Sequence, residues 1–409
     1  MAEEVNTAAS ADGAKPSVLI IGGLGFIGRF LTKYIHTNNL ASEIRIVDKQ
    51  LPQLAWLAPE FADVCTMERF EQGDMSREHT CESVFNRPDG SSWDYVFNCG
   101  GDTRLSQDDE IYRQRNLKLS VTAAKEAAKR GVKCWVELST GAVYKSDREP
   151  SKETDKLKPW LKLAKCHLEA EDELRKIEGL NLIILRLANV YGEYCSKIIA
   201  TMLCMARVYA YLKDEMKWLW TKDLRSHTVH VNDAARALWH AADWYTHGKK
   251  NWDKSWGSVP IFNVVDHGDT SQGDLQKHIS KMFGIKTGFH GTIVSSFARL
   301  NLGSAVDEEN DEILQPWGDL LHEAGVTRPG PINPYLENEF VKDDDFSIDG
   351  SRFEKVTGFS YEVPVVTAEG LLAIIESYKR LNWWPSIELD AKRELKEGAT
   401  HDGEVAVEG

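Results

Sequence analysis

Short unbroken apolar runs alternate along the chain with longer stretches in which apolar positions recur every three or four residues. Val18-Leu19-Ile20-Ile21 is the first run, and an amphipathic stretch follows it to His36. Runs of the first kind predict strands buried on both faces, and the stretches between them predict helices. Further strands are predicted at 43–47, 64–70, 93–97, 132–138 and 182–187, with helices at 76–85, 109–130 and 161–177. This alternation specifies an α/β fold, a doubly wound parallel sheet.

From Asn189 the alternation loosens. A helix at 198–213 and a strand at 227–231 come first, then a helix capped by Asn232 or Asp233 and running to about Trp244. After a Trp- and Lys-bearing surface insertion (247–258) come a strand at 261–265 and a helix opened by the capping box Ser271-x-x-Asp274. Residues 302–345 form an acidic, Pro/Gly-rich insertion with one helix near 313–324, and 366–381 reads as a last amphipathic helix. The expected organisation is a disordered N-terminus (1–16) and a dinucleotide-binding domain (17–188) whose sheet and helices are completed by parts of 226–265. A mixed α/β substrate-binding region (189–385) and a charged tail (386–409) follow.

Three glycines, Gly22, Gly25 and Gly28, join the first strand to its helix. A strand, a glycine turn and a helix N-terminus present backbone N–H groups and a positive dipole end to a phosphate. Gly22 allows the tight turn, Gly25 the approach of a pyrophosphate, and Gly28 close packing of helix on strand. Phe26 and Ile27 supply first-turn amides. The next strand ends at Asp48, twenty residues after Gly28. A carboxylate there accepts both ribose hydroxyls of an adenosine and repels a 2′-phosphate, so NAD is expected over NADP. Lys49 softens that preference without reversing it. An acid past the third strand, Asp74, is placed for the adenine amino group. Asn98-Cys99-Gly100-Gly101 makes a second small-residue turn beside the first, where open parallel sheets bind ligands.

Composition narrows the choices. The 409 residues are 42% hydrophobic and 27% charged, as in a soluble globular protein, and the net charge of −14 excludes nucleic acid or an anionic membrane as the main partner. Seven cysteines without a CxxC pair read as buried thiols of a reducing compartment, and no metal site is expected from them or from His227 and His230. No secretory signal or membrane span is legible, so a cytoplasmic location is expected.

At this point the chain resembles the extended short-chain dehydrogenase/reductases, the NAD-dependent epimerase/dehydratase group, with the 3β-hydroxysteroid dehydrogenases as relatives. The resemblance covers about residues 17–285 and resumes near 346–381. It rests on Gly22-Gly23-x-Gly25-Phe26-Ile27-Gly28, Asp48, Gly73-Asp74, Asn98, Asn116, Ser139-Thr140-x-x-Val143-Tyr144, Lys165 with Glu169, Arg186-x-x-Asn189-Val190-Tyr191-Gly192 and His230-Val231-x-Asp233. It implies a Rossmann sheet with a smaller C-terminal substrate-binding region, and NAD as cofactor. The cofactor would be held by Gly22, Gly25, Phe26, Ile27, Gly28, Asp48, Asp74, Met75, Asn98, Gly100, Gly101, Asn116, Lys165, Asn189 and Val190. It also implies that Thr140 orients the reacting oxygen, that Lys165 holds the nicotinamide ribose, and that helices 109–130 and 161–177 form a homodimer contact.

The pattern breaks at one position. The family's acid–base tyrosine lies four residues before the lysine, and here that residue is Leu161, in a register in which positions 161, 165 and 169 share one helix face. Tyr144 is the candidate to handle the proton instead, although Tyr144 and Tyr191 also match aromatic wall positions of the family. His167, about 200° around the helix from Lys165, is expected to point away from it. Arg225, five residues before His230, is either a ligand for a substrate diphosphate or a surface arginine. Two functions follow: an NAD-dependent epimerase/dehydratase or dehydrogenase with non-standard proton transfer on a nucleotide-sugar-like or other hydroxyl/keto substrate, or an inactive NAD-binding regulatory or scaffold protein. The acidic run 307–312 is a solvated face or a docking strip for a basic protein partner.

Overall fold

The computed structural model describes residues 15–249 and 252–387. The segment expected to be a disordered N-terminus lies almost wholly, and the charged tail mostly, outside the described residues.

The strands are β1 (Ser17–Ile21), β2 (Glu43–Asp48), β3 (Phe70–Gln72), β4 (Tyr95–Asn98), β5 (Cys134–Thr140), β6 (Leu182–Leu187), β7 (Asn189–Tyr191), β8 (Met216–Trp218), β9 (Thr228–His230), β10 (Ile261–Val264) and β11 (Thr287–Phe289). Seven of them form one parallel sheet in the order β10-β6-β5-β4-β1-β2-β3. The strand order therefore reverses between β1 and β4, the switch point where such sheets bind ligands beyond their carboxyl ends. Side chains alternate along β1, so Leu19 and Ile21 enter a core with Val84, Phe85, Trp93, Ala123, Ala127 and Trp135. Helices 78–85, 118–129 and 162–174 pack side by side, and helix Phe26–Thr37 packs on helix Val231–Asp243. The expected doubly wound sheet is thus observed.

Several boundaries differ from expectation for local reasons. Val64 and Cys65 are not strand: their amides turn back to the Phe61 carbonyl (3.2 and 2.8 Å), and β3 starts only at Phe70. The long helix from Asp109 is interrupted by a π-type turn at Arg113–Leu117. Helix Val231–Asp243 is capped by His230, which accepts from the Asn232 amide, and not by Asn232 or Asp233. Asp233 instead accepts from the amides of Glu362 and Val363 (3.0 and 2.7 Å). The capping box does form, with Ser271 and Asp274 each accepting from the other's amide.

The chain divides into two compact units. The first holds Met1–Tyr194, Trp220–Leu275 and Glu337–Thr367, and the second Cys195–Leu219, Gln276–Leu336 and Ala368–Gly409. In the second, helix Ile199–Leu212 is buried along nearly its whole length, and β8 pairs with β11. The acidic segment there is helical from Leu302 to Glu323, not irregular. Val306, Asn310, Ile313, Trp317 and Leu320 form its buried stripe, while Asp307, Glu308, Asp311 and Glu312 are exposed. Four of the six tryptophans between 218 and 256 are buried: Trp218, Trp220, Trp244 and Trp252. Among the described residues no helix is long and apolar enough to cross a membrane.

Candidate functional site

The turn after β1 folds as its glycines require. Gly22 sits at φ +70°, where a Cβ would lie 2.5 Å from the Gly100 Cα of the neighbouring turn. A Cβ on Gly28 would run into the Gly22 carbonyl and the Gly23 Cα. Both positions exclude any larger residue, so the loops after β1 and β4 meet backbone to backbone. Gly25 is the N-cap of helix Phe26–Thr37, and no side chain caps that end. The amides of the first turn, Phe26 and Ile27 included, are the donors such a helix offers an anion.

Arg29, which the sequence reading did not single out, clamps this turn from beneath. Its guanidinium donates to the carbonyls of Leu24 (2.7 Å), Gly25 (3.2 Å), Ala55 (3.0 Å) and Trp56 (3.1 Å), and burial lowers its pKa to about 10. Asp48 ends β2 and accepts from the Leu24 amide (3.3 Å) and the Gln50 amide (3.1 Å). Burial raises its carboxyl above the usual range. Asp74 accepts from Ser76 and pairs with Lys49 at 3.1 Å, so the Lys49 ammonium is drawn to Asp74. Met75 is buried in the sheet core, which leaves only its backbone for a ligand.

At the end of β4, Asn98 is buried, and its Oδ1 accepts from the Gly100 amide (3.2 Å). Asn116 lies in the π-type turn and holds the same loop, accepting from the Asp102 amide (2.9 Å) and donating to the Asp102 carbonyl (3.1 Å). The widened turn thus carries a side chain that braces the second small-residue loop. Asn189 and Val190 are half-buried on β7, with Asn189 donating to Ser226 (3.3 Å). Gly22 to Gly28, Asp48, Asn98 to Gly101 and Asn116 therefore surround one switch point.

Beneath that point lies a buried carboxylate that no motif announces. Glu137 on β5 accepts from Asn98 (2.9 Å), Ser120 (2.8 Å) and the Trp135 indole (2.9 Å). Burial pushes its carboxyl up to about 7, restrained by those donors and pushed further by Glu171. In the unfolded chain a glutamate titrates near ~4.3. Between the two values the folded protein holds the extra proton, so stability falls as pH rises through this window and is level above it. The expected loss is on the order of 3 kcal/mol. Urea unfolding at pH 5 and pH 8 should show that slope in the wild type and not in Glu137→Gln; equal slopes would contradict the assignment.

Thr140 ends β5 half-buried, its Oγ1 accepting from the Ala142 amide (3.2 Å). Tyr144 is held within the core. Its hydroxyl donates to Asn263 Oδ1 (2.7 Å) and accepts from Arg186 Nη1 (2.8 Å), the side chain is 2% exposed, and burial pushes its pKa up to about 12. It is a buried group whose hydroxyl is engaged on both sides. Tyr191 is likewise buried, its ring edge-on to His230. Arg225 pairs with Asp269 (3.1 Å). Burial lowers the His167 pKa to about 4.

Leu161 is the N-cap of helix Lys162–Leu174, with extended backbone (φ −108°, ψ 146°). Its carbonyl accepts from the Lys165 amide (3.0 Å), so Leu161 stands one helical turn before Lys165. Lys165 is exposed beside a small cleft lined by Asp109, Tyr112, Arg113, Lys162, Cys166 and Glu169.

A parallel sheet with a glycine cradle at its switch point and an acid after β2 defines a dinucleotide-binding short-chain dehydrogenase/reductase fold. Residues 18–255 match the model of the NAD dependent epimerase/dehydratase family, and the chain belongs to that family. No curated protein matches it. Among solved structures, the UDP-glucuronic acid 4-epimerase of Bacillus cereus in complex with NAD has TM-score 0.62 at 15% identity, over 90% of this chain and 99% of that one. The UDP-glucose 4-epimerase of Thermotoga maritima with UDP-glucose has TM-score 0.59 at 18% identity, over 89% and 99%. MoeE5 in complex with UDP-glucose and NAD has TM-score 0.60 at 17% identity, over 89% and 99%. At these identities the likeness establishes the fold.

Proposed function

We propose that the protein binds NAD in the cradle of Gly22, Gly25 and Gly28 and turns substrate over slowly or not at all. The cradle fits the cofactor: a Cβ at Gly22 or Gly28 would strike neighbouring backbone, whereas one at Gly25 would meet only the Gly22 carbonyl (3.0 Å) and otherwise point into open space, which leaves that side of the turn free for a pyrophosphate. Asp48 holds the adenosine ribose, Asp74 faces the adenine edge, and Lys165 holds the nicotinamide ribose. Bound NAD supplies a hydride acceptor; the chain must orient the reacting oxygen, through Thr140, and move its proton.

One observation carries the reading. Tyr144, the residue best placed in sequence to stand in for an acid–base tyrosine, is held by Arg186 and Asn263, and by the resemblance it is Leu161 that occupies that tyrosine's place. Positioned acid–base catalysis contributes about 10²–10⁴-fold in rate, so its absence leaves chemistry slow. That second point favours a cofactor-binding role, in which NAD occupancy stabilises the protein or reports to a partner, over efficient epimerisation. UDP-sugars are the first substrate class to try, given what the solved structures of this fold hold. Purified protein with its dinucleotide content established should show absent or feeble turnover of UDP-, GDP- and dTDP-sugars. Fast turnover of any of them would overturn the proposal.

A further inference from the structure

Helix Lys162–Leu174 begins badly by its own sequence. Leu161, its N-cap, offers no side-chain cap, and leucine is among the poorest residues for that place. The missing acceptor comes from far along the chain. Glu339 is 7% exposed, and its Oε1 accepts from the Lys162 amide (2.9 Å) while its Oε2 accepts from the Ser106 amide (2.7 Å). One carboxylate thus ties the N-terminus of the Lys165 helix to the loop that follows β4. A negative charge at a helix N-terminus, bonded to backbone N–H groups, is a strong arrangement.

Neighbouring contacts fix the same place. Lys342 donates to the Trp160 carbonyl (2.8 Å), and the Phe346 ring meets Trp160 edge-on at 6.0 Å. From the other side, the Tyr112 hydroxyl donates to the Arg104 carbonyl (2.6 Å) and accepts from the Gln107 amide (3.3 Å), so the loop is braced on the helix that lines the Lys165 cleft. The segment 339–346 therefore holds residues 160–162, where a tyrosine would otherwise be expected, against the 104–107 loop.

We infer that Glu339 is a positioning residue for the nicotinamide half of the cofactor site: it sets the start of the Lys165 helix relative to the β4 loop. This rests on the NAD-binding reading above. The adenosine half is built separately, by β1 to β3 with Asp48 and Asp74, so loss of the staple should be felt at one end only.

The test uses the full-length protein and two probes, NAD and ADP, the latter lacking the nicotinamide ribose. Glu339→Ala should weaken NAD by about tenfold or more, the size of one lost charge-assisted hydrogen bond, and leave ADP within about twofold. Glu339→Gln keeps the volume and one acceptor, and should fall between. In a double-mutant cycle, Lys165→Ala should cost less NAD affinity in the Glu339→Ala background than in the wild type. Equal weakening of NAD and ADP, no weakening of either, or additive losses in the cycle would overturn the inference. A wild type that binds ADP but not NAD, or neither, would instead sink the NAD-binding reading itself.

Discussion

Glu171→Ala is expected to destabilise the protein by about 3–5 kcal/mol, the usual cost of leaving a buried charge without its partner. Glu171 and Arg186 are 0% and 1% exposed and pair at 2.6 Å. Glu171 also accepts from Ser139 (2.7 Å) and Arg175 (2.9 Å). Without the carboxylate, the Arg186 guanidinium keeps only Tyr144 as a hydrogen-bond acceptor, and Ser139 loses its acceptor next to Thr140. Burying the pair at all is no proof of net stabilisation, since desolvation opposes the attraction. The two effects separate in the double variant Glu171→Leu/Arg186→Met, which should recover most of the loss. Urea unfolding of the three proteins at pH 7 measures both. A loss under about 1 kcal/mol for Glu171→Ala would show that water reaches the site and that the seam is not sealed.

Under the proposed function, Leu161→Tyr should raise turnover of an accepted sugar nucleotide by about 10²–10⁴-fold. Thr140 and Lys165 remain at the ends of β5 and of its following helix, and what is missing is a hydroxyl able to give and take a proton. Leu161 is half-buried at the start of that helix, where its backbone is already extended and makes no demand that tyrosine cannot meet. Affinity for NAD should hardly change. The measurement is initial rate against UDP-sugars for the two proteins side by side. A wild type already fast, or a variant with intact NAD binding and no gain, would mean that position 161 does not limit the reaction.

The sheet was legible because its strands are unbroken apolar runs and its turns carry glycines whose spacing has few other uses. The glycine turn of Gly22 and Gly28 and the strand end at Asp48 are legible in sequence, since close backbone approach and a strand terminus are local facts. Helix Leu302–Glu323 was missed at its acidic start because six charged or amide residues in succession hide a stripe that only Val306, Asn310 and Ile313 carry there. The contacts of Tyr144 were not legible because its neighbours, Arg186 and Asn263, come from β6 and β10, and register across a sheet is not written in one strand. Glu339 gave no signal at all. Its partners lie 177 and 233 residues away, and an acid in an acidic segment looks like solvent-facing charge.

Under the proposed function, NAD occupies the cradle with Asp48 on its ribose. Calorimetric titration of NAD and NADP into wild type and Asp48→Ala tests that directly. The account predicts tight NAD, weak NADP, and for Asp48→Ala a loss of NAD affinity on the order of 10²-fold, from two hydrogen bonds to a charged acceptor. The same substitution should narrow the gap between the two cofactors by removing the charge that opposes a 2′-phosphate. Binding of neither dinucleotide by the wild type, or equal binding by wild type and variant, would contradict it.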